Sequence, residues 1–140
     1  MEKIKVGFTT GVFDMFHIGH LNLLTEAKKN CDYLIVAVTT DKEVYRVKNK
    51  NPIIPFEERI KIVEAIKWVD KVVPEENVDK LISWKKYKFD VIFKGDDWKG
   101  TEKWNNYEQQ FKKFGVDVIY FPYTKHISST KLRNKLNVGT

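Results

Sequence analysis

Two histidines three residues apart, His17 and His20, stand in the stretch Thr10-Gly11-Val12-Phe13-Asp14-Met15-Phe16-His17-Ile18-Gly19-His20. At that spacing two residues of a helix share a face, and Gly19 between them lets a ligand approach the backbone closely. An apolar run (Ile4, Val6, Phe8) precedes the stretch and a helical pattern (Ile18, Leu21, Leu24, Ala27) follows it, so it reads as strand, glycine turn and helix start. A helix N-terminus offers unpaired N–H groups and partial positive charge, which suit a phosphate. Two imidazoles there add hydrogen-bond donors and can take up charge near neutral pH. The chemistry predicted is the binding and activation of nucleotide phosphates.

Other chemistries fit less well. A zinc helix needs a Glu and a four-residue His spacing, and the single Cys31 supplies no thiolate cluster. The glycines form neither a dinucleotide fingerprint nor the Gly-Lys-Ser/Thr of a P-loop. A single histidine would read as a structural residue; the pair after a strand and a glycine turn reads as a site.

The elements that must position this pair alternate between strand and helix patterns, which predicts an α/β fold: a Rossmann-like, doubly wound, five-stranded parallel sheet in one domain spanning residues 1–140. Strands are expected at Ile4–Thr9, Tyr33–Thr39, Lys71–Val73 (stopped by Pro74), Asp90–Lys94 and Val116–Phe121. Helices are expected from His17 to about Asn30, from Phe56 to Trp68, from Glu75 to about Tyr87 and from Lys103 to Phe114. Asp41 to Pro55 reads as a long polar loop with Lys48 and Lys50 as candidate anion contacts. Arg59 could clamp a phosphate bidentately or pair with Glu58 or Asp70. The fourth strand ends in Gly95-Asp96-Asp97-Trp98, whose carboxylates could accept from a base amine, bind ribose hydroxyls or hold a cation. Ser128 and Ser129 precede a helical run and make a second anion cradle there. Ligands of such sheets bind at the carboxyl ends of the strands, near a topological switch.

The chain has 140 residues, 42% of them apolar, enough for one well-filled core. No apolar run has transmembrane length and no signal peptide pattern appears, so no membrane insertion is expected. One cysteine points to a reducing, cytoplasmic setting. The net charge of +6 suits an anionic partner. The lysines are scattered and no RNA-binding aromatic signature is present, so nucleic acid is not expected.

The pattern Gly11-x-Phe13-Asp14-x-x-His17-x-Gly19-His20, with Arg59, Asp70, Gly95-Asp96-Asp97-Trp98 and Ile127-Ser128-Ser129-Thr130, resembles the signature of the HxGH nucleotidyltransferase superfamily. Within it the chain is most similar to the small bacterial glycerol-3-phosphate cytidylyltransferases, over nearly its whole length. The resemblance implies transfer of CMP from CTP, with Mg²⁺, to a phosphorylated alcohol, first glycerol 3-phosphate, by a cytoplasmic homodimer making a precursor of a cell-surface polymer. It implies that His17 and His20 bond the α- and β-phosphate oxygens. Thr10, Gly11, Val12, Phe13, Asp14, Gly19, Lys50, Gly95, Asp96 and Asp97 would hold the nucleotide, together with Tyr123, Thr124, Ile127, Ser128, Ser129 and Thr130. Lys48, Arg59 and Lys80 would hold the acceptor, and Asp70 would be structural. The chain departs from these relatives in six places: Tyr123 replaces an arginine and Lys67 another, Val78 replaces a tryptophan, His126 replaces a glycine, the loop before Pro52 carries one extra residue, and two residues are missing after Lys80. Runner-up readings are a phosphoethanolamine or phosphocholine cytidylyltransferase, an adenylyltransferase, and a non-catalytic nucleotide-binding module.

Overall fold

A computed structural model describes residues 3–122. Five strands, β1 (Val6–Gly11), β2 (Tyr33–Thr39), β3 (Lys71–Glu75), β4 (Val91–Gly95) and β5 (Asp117–Phe121), form one parallel sheet in the order β3-β2-β1-β4-β5. Five helices connect them: α1 (Ile18–Lys29), α2 (Asp41–Lys48), α3 (Phe56–Glu64), α4 (Lys80–Tyr87) and α5 (Glu102–Lys112).

Strand β2 is apolar throughout because both of its faces are covered. Leu34, Val36 and Val38 point to one face and join Leu24 and Ala27 of α1 and Val63 of α3. Ile35 and Ala37 point to the other and join Trp104, Tyr107 and Phe111 of α5, with Leu81 and Trp84 of α4 packed against them. The sheet is therefore doubly wound, as the alternating pattern predicts.

Chain order runs outward from β1 to β3 on one side and continues from β4 to β5 on the other, so the switch point lies between β1 and β4. The ladder there is short: Gly7 pairs with Val91 and Phe8 with Ile92. Only the Thr9 hydroxyl, donating to the Phe93 carbonyl at 3.1 Å, continues the contact. Beyond it the two strand ends open a crevice.

The element boundaries depart from the sequence expectations: β1 is Val6–Gly11 and not Ile4–Thr9, α3 ends at Glu64 and not Trp68, and further differences have a local cause. Residues 41–48 are a helix, not a loop: the Thr40 hydroxyl accepts from the Glu43 N–H at 3.2 Å, and Asn49 ends the helix in the left-handed conformation (φ 57°). β3 runs through Pro74 to Glu75, because β3 is an edge strand and the missing proline N–H costs no ladder bond there. In consequence α4 starts only at Lys80, where the Asp79 carboxylate caps it by accepting from Leu81 N–H at 3.0 Å. Ile18, expected on the inner stripe of α1, is 46% exposed.

Gly7 sits where the sheet is tightest: a Cβ there would lie 2.6 Å from the Phe93 ring and 2.7 Å from Cys31 Sγ. Gly7→Ala is expected to destabilise the fold by about 1–3 kcal/mol through overpacking, read as a lower urea midpoint with an unchanged m-value.

Candidate active site

The crevice widens into a cavity of about 400 Å³. It is bounded by the end of β1 and its turn (Thr9 to Asp14), the head of α1 (His17, Gly19, His20), the end of α2 and the following loop (Lys48, Lys50, Asn51), and the end of β4 (Lys94, Gly95, Asp97, Trp98).

At the head of α1 the two histidines cap the helix reciprocally. His17 is the N-cap, and its Nδ1 accepts from the Gly19 N–H at 3.0 Å. His20 is the third helical residue, and its Nδ1 accepts from the His17 N–H at 3.2 Å. This is the logic of a capping box with imidazoles in both roles. The rings stack, with centroids 3.9 Å apart and planes 26° off parallel. A nitrogen that accepts an N–H carries no proton, so each neutral ring keeps its proton on Nε2. Neither Nε2 has a partner among the described residues, neither is sealed from solvent, and both rings line the cavity. The site thus presents two N–H donors at a helix N-terminus.

The electrostatics reinforce that tautomer. Burial lowers the His17 pKa from 6.5. Burial, then the proximity of His17, lowers that of His20 to about 3, against the opposing pull of Asp14. The sequence expectation that these rings take up charge near neutral pH is corrected: the rings act as neutral donors, because protonating Nδ1 would break the cap.

The turn leading to the pair is built under strain. Phe13 (φ 54°) and Met15 (φ 51°) both adopt the left-handed conformation, at a cost of order 1–3 kcal/mol each. Two buried groups hold it there. The Asp14 carboxylate accepts from the Ile53 and Ile54 N–H groups, each at 2.8 Å, and so ties the turn to the segment before α3. Arg59, 1% exposed, donates to the carbonyls of Val12 (2.6 Å), Thr39 (2.8 Å) and Ile54 (2.8 Å) and to Asp41 Oδ1 (2.7 Å). Its planar fork joins the ends of β1 and β2 to the start of α3.

The structure brings together at one cavity His17, His20, Thr10, Gly11, Val12, Phe13, Asp14, Gly19, Lys48, Lys50, Gly95 and Asp97. It does not bring three other expected residues there. Arg59 is turned inward with its donors used by the backbone and Asp41, so it positions the site and does not bind the acceptor. Lys80 is buried, and its Nζ lies 2.9 Å from the equally buried Glu75 Oε2. Burial pulls its ammonium below the ordinary lysine range while Glu75 holds the charge. Asp96 starts the 3-10 turn Asp96–Trp98 and is not among the lining residues, whereas Asp97 folds back over Gly95, where a Cβ would come within 2.8 Å of its Oδ1. Asp70 is structural as expected: it accepts from the Leu34 N–H and from Lys28. Tyr123, Thr124, Ile127, Ser128, Ser129 and Thr130 lie outside the described residues.

Lys94 lines the cavity and was not picked out by the sequence reading. Its signal is a lone charged residue closing an apolar strand, Val91-Ile92-Phe93-Lys94. Among the described residues no group of three His, Cys, Asp or Glu side chains could hold a metal ion, and no helix is long and apolar enough to cross a membrane.

Comparison with known proteins places this geometry among relatives. Residues 8–135 match the family model described as cytidylyltransferase-like. The glycerol-3-phosphate cytidylyltransferase of Bacillus subtilis (strain 168) is 38% identical over 97% of this chain and 98% of its own length. The FAD synthase of Archaeoglobus fulgidus is 41% identical over 79% of each. The crystal structure of the lipopolysaccharide core biosynthesis protein from Thermoplasma volcanium GSS1 superposes with a TM-score of 0.73 at 30% identity, covering 86% of this chain and 99% of that one.

Two outcomes test this site. Because His20 stays neutral when folded but protonates near 6.5 when unfolded, the unfolded state binds more protons as pH falls, and stability drops by up to about 1.4 kcal/mol per pH unit for that ring. Urea unfolding between about pH 6.5 and pH 5, above the carboxylate range, should show this slope, shallower in His20→Gln. Arg59→Met leaves buried carbonyls without donors and should cost about 2–4 kcal/mol in the same assay.

Proposed function

The chain belongs to the cytidylyltransferase-like family, and from that premise we propose that it transfers CMP from CTP to glycerol 3-phosphate, giving CDP-glycerol and pyrophosphate. One observation carries the reading: two neutral imidazoles, locked as Nε2–H donors on a helix N-terminus, open onto a cavity at the switch point of the sheet.

In the reaction a phosphate oxygen of the acceptor attacks the α-phosphorus of CTP. The new P–O bond forms as the bond to the bridging oxygen breaks, and the electron pair leaves with pyrophosphate. No covalent enzyme intermediate is needed; alignment and charge stabilisation do the chemistry. His17 and His20 donate to α- and β-phosphate oxygens as charge grows on them. The head of α1 adds its partial positive charge. Gly11 to Phe13 let the nucleotide approach the end of β1, and Lys48 and Lys50 add cations from the end of α2. Gly95 and Asp97 border the same cavity at the end of β4. Mg²⁺ would come with the CTP substrate, held chiefly by its phosphates and water, and would supply charge neutralisation for the leaving pyrophosphate. The same reading makes the protein a homodimer in a reducing, cytoplasmic setting, the setting being in keeping with its free Cys31.

The relationship to a FAD synthase favours one second reading, transfer of AMP from ATP. Pyrophosphate release with each nucleotide triphosphate and glycerol 3-phosphate separates the two. CTP is expected to support turnover and ATP not; the reverse preference would assign the chain to adenylyl transfer.

His17→Asn keeps an N-cap acceptor but removes the Nε2 donor, and His20→Ala removes the second. Each should lower kcat by about 10²–10⁴-fold, a few kcal/mol of transition-state stabilisation. Near-normal turnover in either variant would contradict the assigned role.

A further inference from the structure

Among the described residues that line the cavity, Lys94 is the cation that the mechanism above leaves unused. It stands at the end of β4, on the same strand face as Ile92, which belongs to the core cluster under α4 and α5. The histidine pair rises from α1, which covers the opposite face of the sheet. The cavity therefore meets neutral N–H donors from one face and an ammonium from the other.

Lys94 Nζ makes no hydrogen bond or ion pair within the described residues. It lies 5.0 Å from the centroid of the Trp98 ring and 5.7 Å from that of Trp104. Two aromatic faces soften the cost of holding an ammonium there but do not neutralise it, and a half-buried charge without a bonded counter-ion is costly to keep. The charged neighbours are Glu75 of β3, Lys80 of α4, Asp97 of the 3-10 turn and Lys103 of α5. Glu75 is engaged by the Thr39 hydroxyl (2.7 Å) and by Lys80. Lys80 in turn is committed to Glu75 and does not line the cavity. Lys103 does not line the cavity either, so among the described residues the positive charge that remains to face a ligand on this side is Lys94.

We propose that Lys94 binds the phosphate of the phosphorylated alcohol, on the side of the cavity away from the histidine pair. This rests on the CMP-transfer reading. The triphosphate is claimed by the head of α1, and displacement at its α-phosphorus brings the attacking phosphate in from the side opposite the leaving pyrophosphate. An ammonium on the far face of the sheet suits that second anion. Lys94 supplies at β4 the acceptor cation that the sequence had suggested for Lys80.

Burial and the neighbouring Lys80 lower the Lys94 pKa to about 8. The free enzyme therefore carries the charge below that pH and loses it above.

The test is steady-state kinetics with CTP and glycerol 3-phosphate. Lys94→Met should raise KM for glycerol 3-phosphate at least about tenfold while KM for CTP moves less than about threefold, tenfold being 1.4 kcal/mol of binding. In the wild type kcat/KM for glycerol 3-phosphate should fall as pH rises through about 8, and this fall should be absent in Lys94→Met. The variant should melt no lower than the wild type, because a half-buried charge with no ion-pair partner among the described residues is replaced by an apolar chain of similar length. An unchanged KM for glycerol 3-phosphate, a rise confined to KM for CTP, or a lowered melting temperature with no change in KM would overturn the proposal. A wild-type protein that transfers CMP to no phosphorylated alcohol overturns the reading beneath it instead, whatever the variant does.

Discussion

Two hydrogen bonds, from the Gly19 N–H to His17 Nδ1 and from the His17 N–H to His20 Nδ1, constrain the whole site. They satisfy donors that every helix start leaves open, and in doing so they settle where each imidazole carries its proton. A helix cap thus becomes a pair of preorganised donors. Their stacking at 3.9 Å penalises charging both rings at once, so the arrangement favours neutral hydrogen-bond donors over general acids.

The surrounding structure serves that constraint. The chain must turn sharply between the end of β1 and His17, and it does so through two left-handed residues that are not glycine. Asp14 and Arg59 hold the turn from opposite directions, one accepting from the backbone before α3, the other donating to the carbonyl just after β1 and to that of the last residue of β2. Burying an arginine is tolerable here because carbonyls and Asp41 take up its donors. The short β1–β4 ladder does the complementary job, letting the strand ends part where the ligand must enter.

Much of this was legible in the sequence. The continuous apolar run of β2 announced a doubly covered strand, and the strand–glycine–helix pattern with two histidines announced the site. The less legible parts have physical reasons. α2 has a single well-buried aliphatic residue, Val44, so its periodicity was faint; its trace was the cap signature Thr40-x-x-Glu43. Pro74 ends most strands but not an edge strand, and sheet order cannot be read from one residue. Arg59 and Lys80 looked like ligand contacts because charged residues are normally exposed. Only the fold shows that each is enclosed with its own partners. Lys94 was overlooked for the converse reason: it looked like the polar end of a strand, and only the crossing of β4 beside β1 brings it to the cavity.

The central claim is that both imidazoles are neutral and protonated at Nε2. Nitrogen-15 NMR of the histidine rings tests it most directly, with His126→Gln to remove the third histidine from the spectrum. From about pH 7.5 down to about pH 5, His20 is expected to keep the pattern of a neutral ring carrying its proton on Nε2, and His17 to show that pattern at the upper end. A proton on Nδ1 of either ring at the upper pH, or a His20 that becomes doubly protonated near its ordinary pKa, would contradict the account.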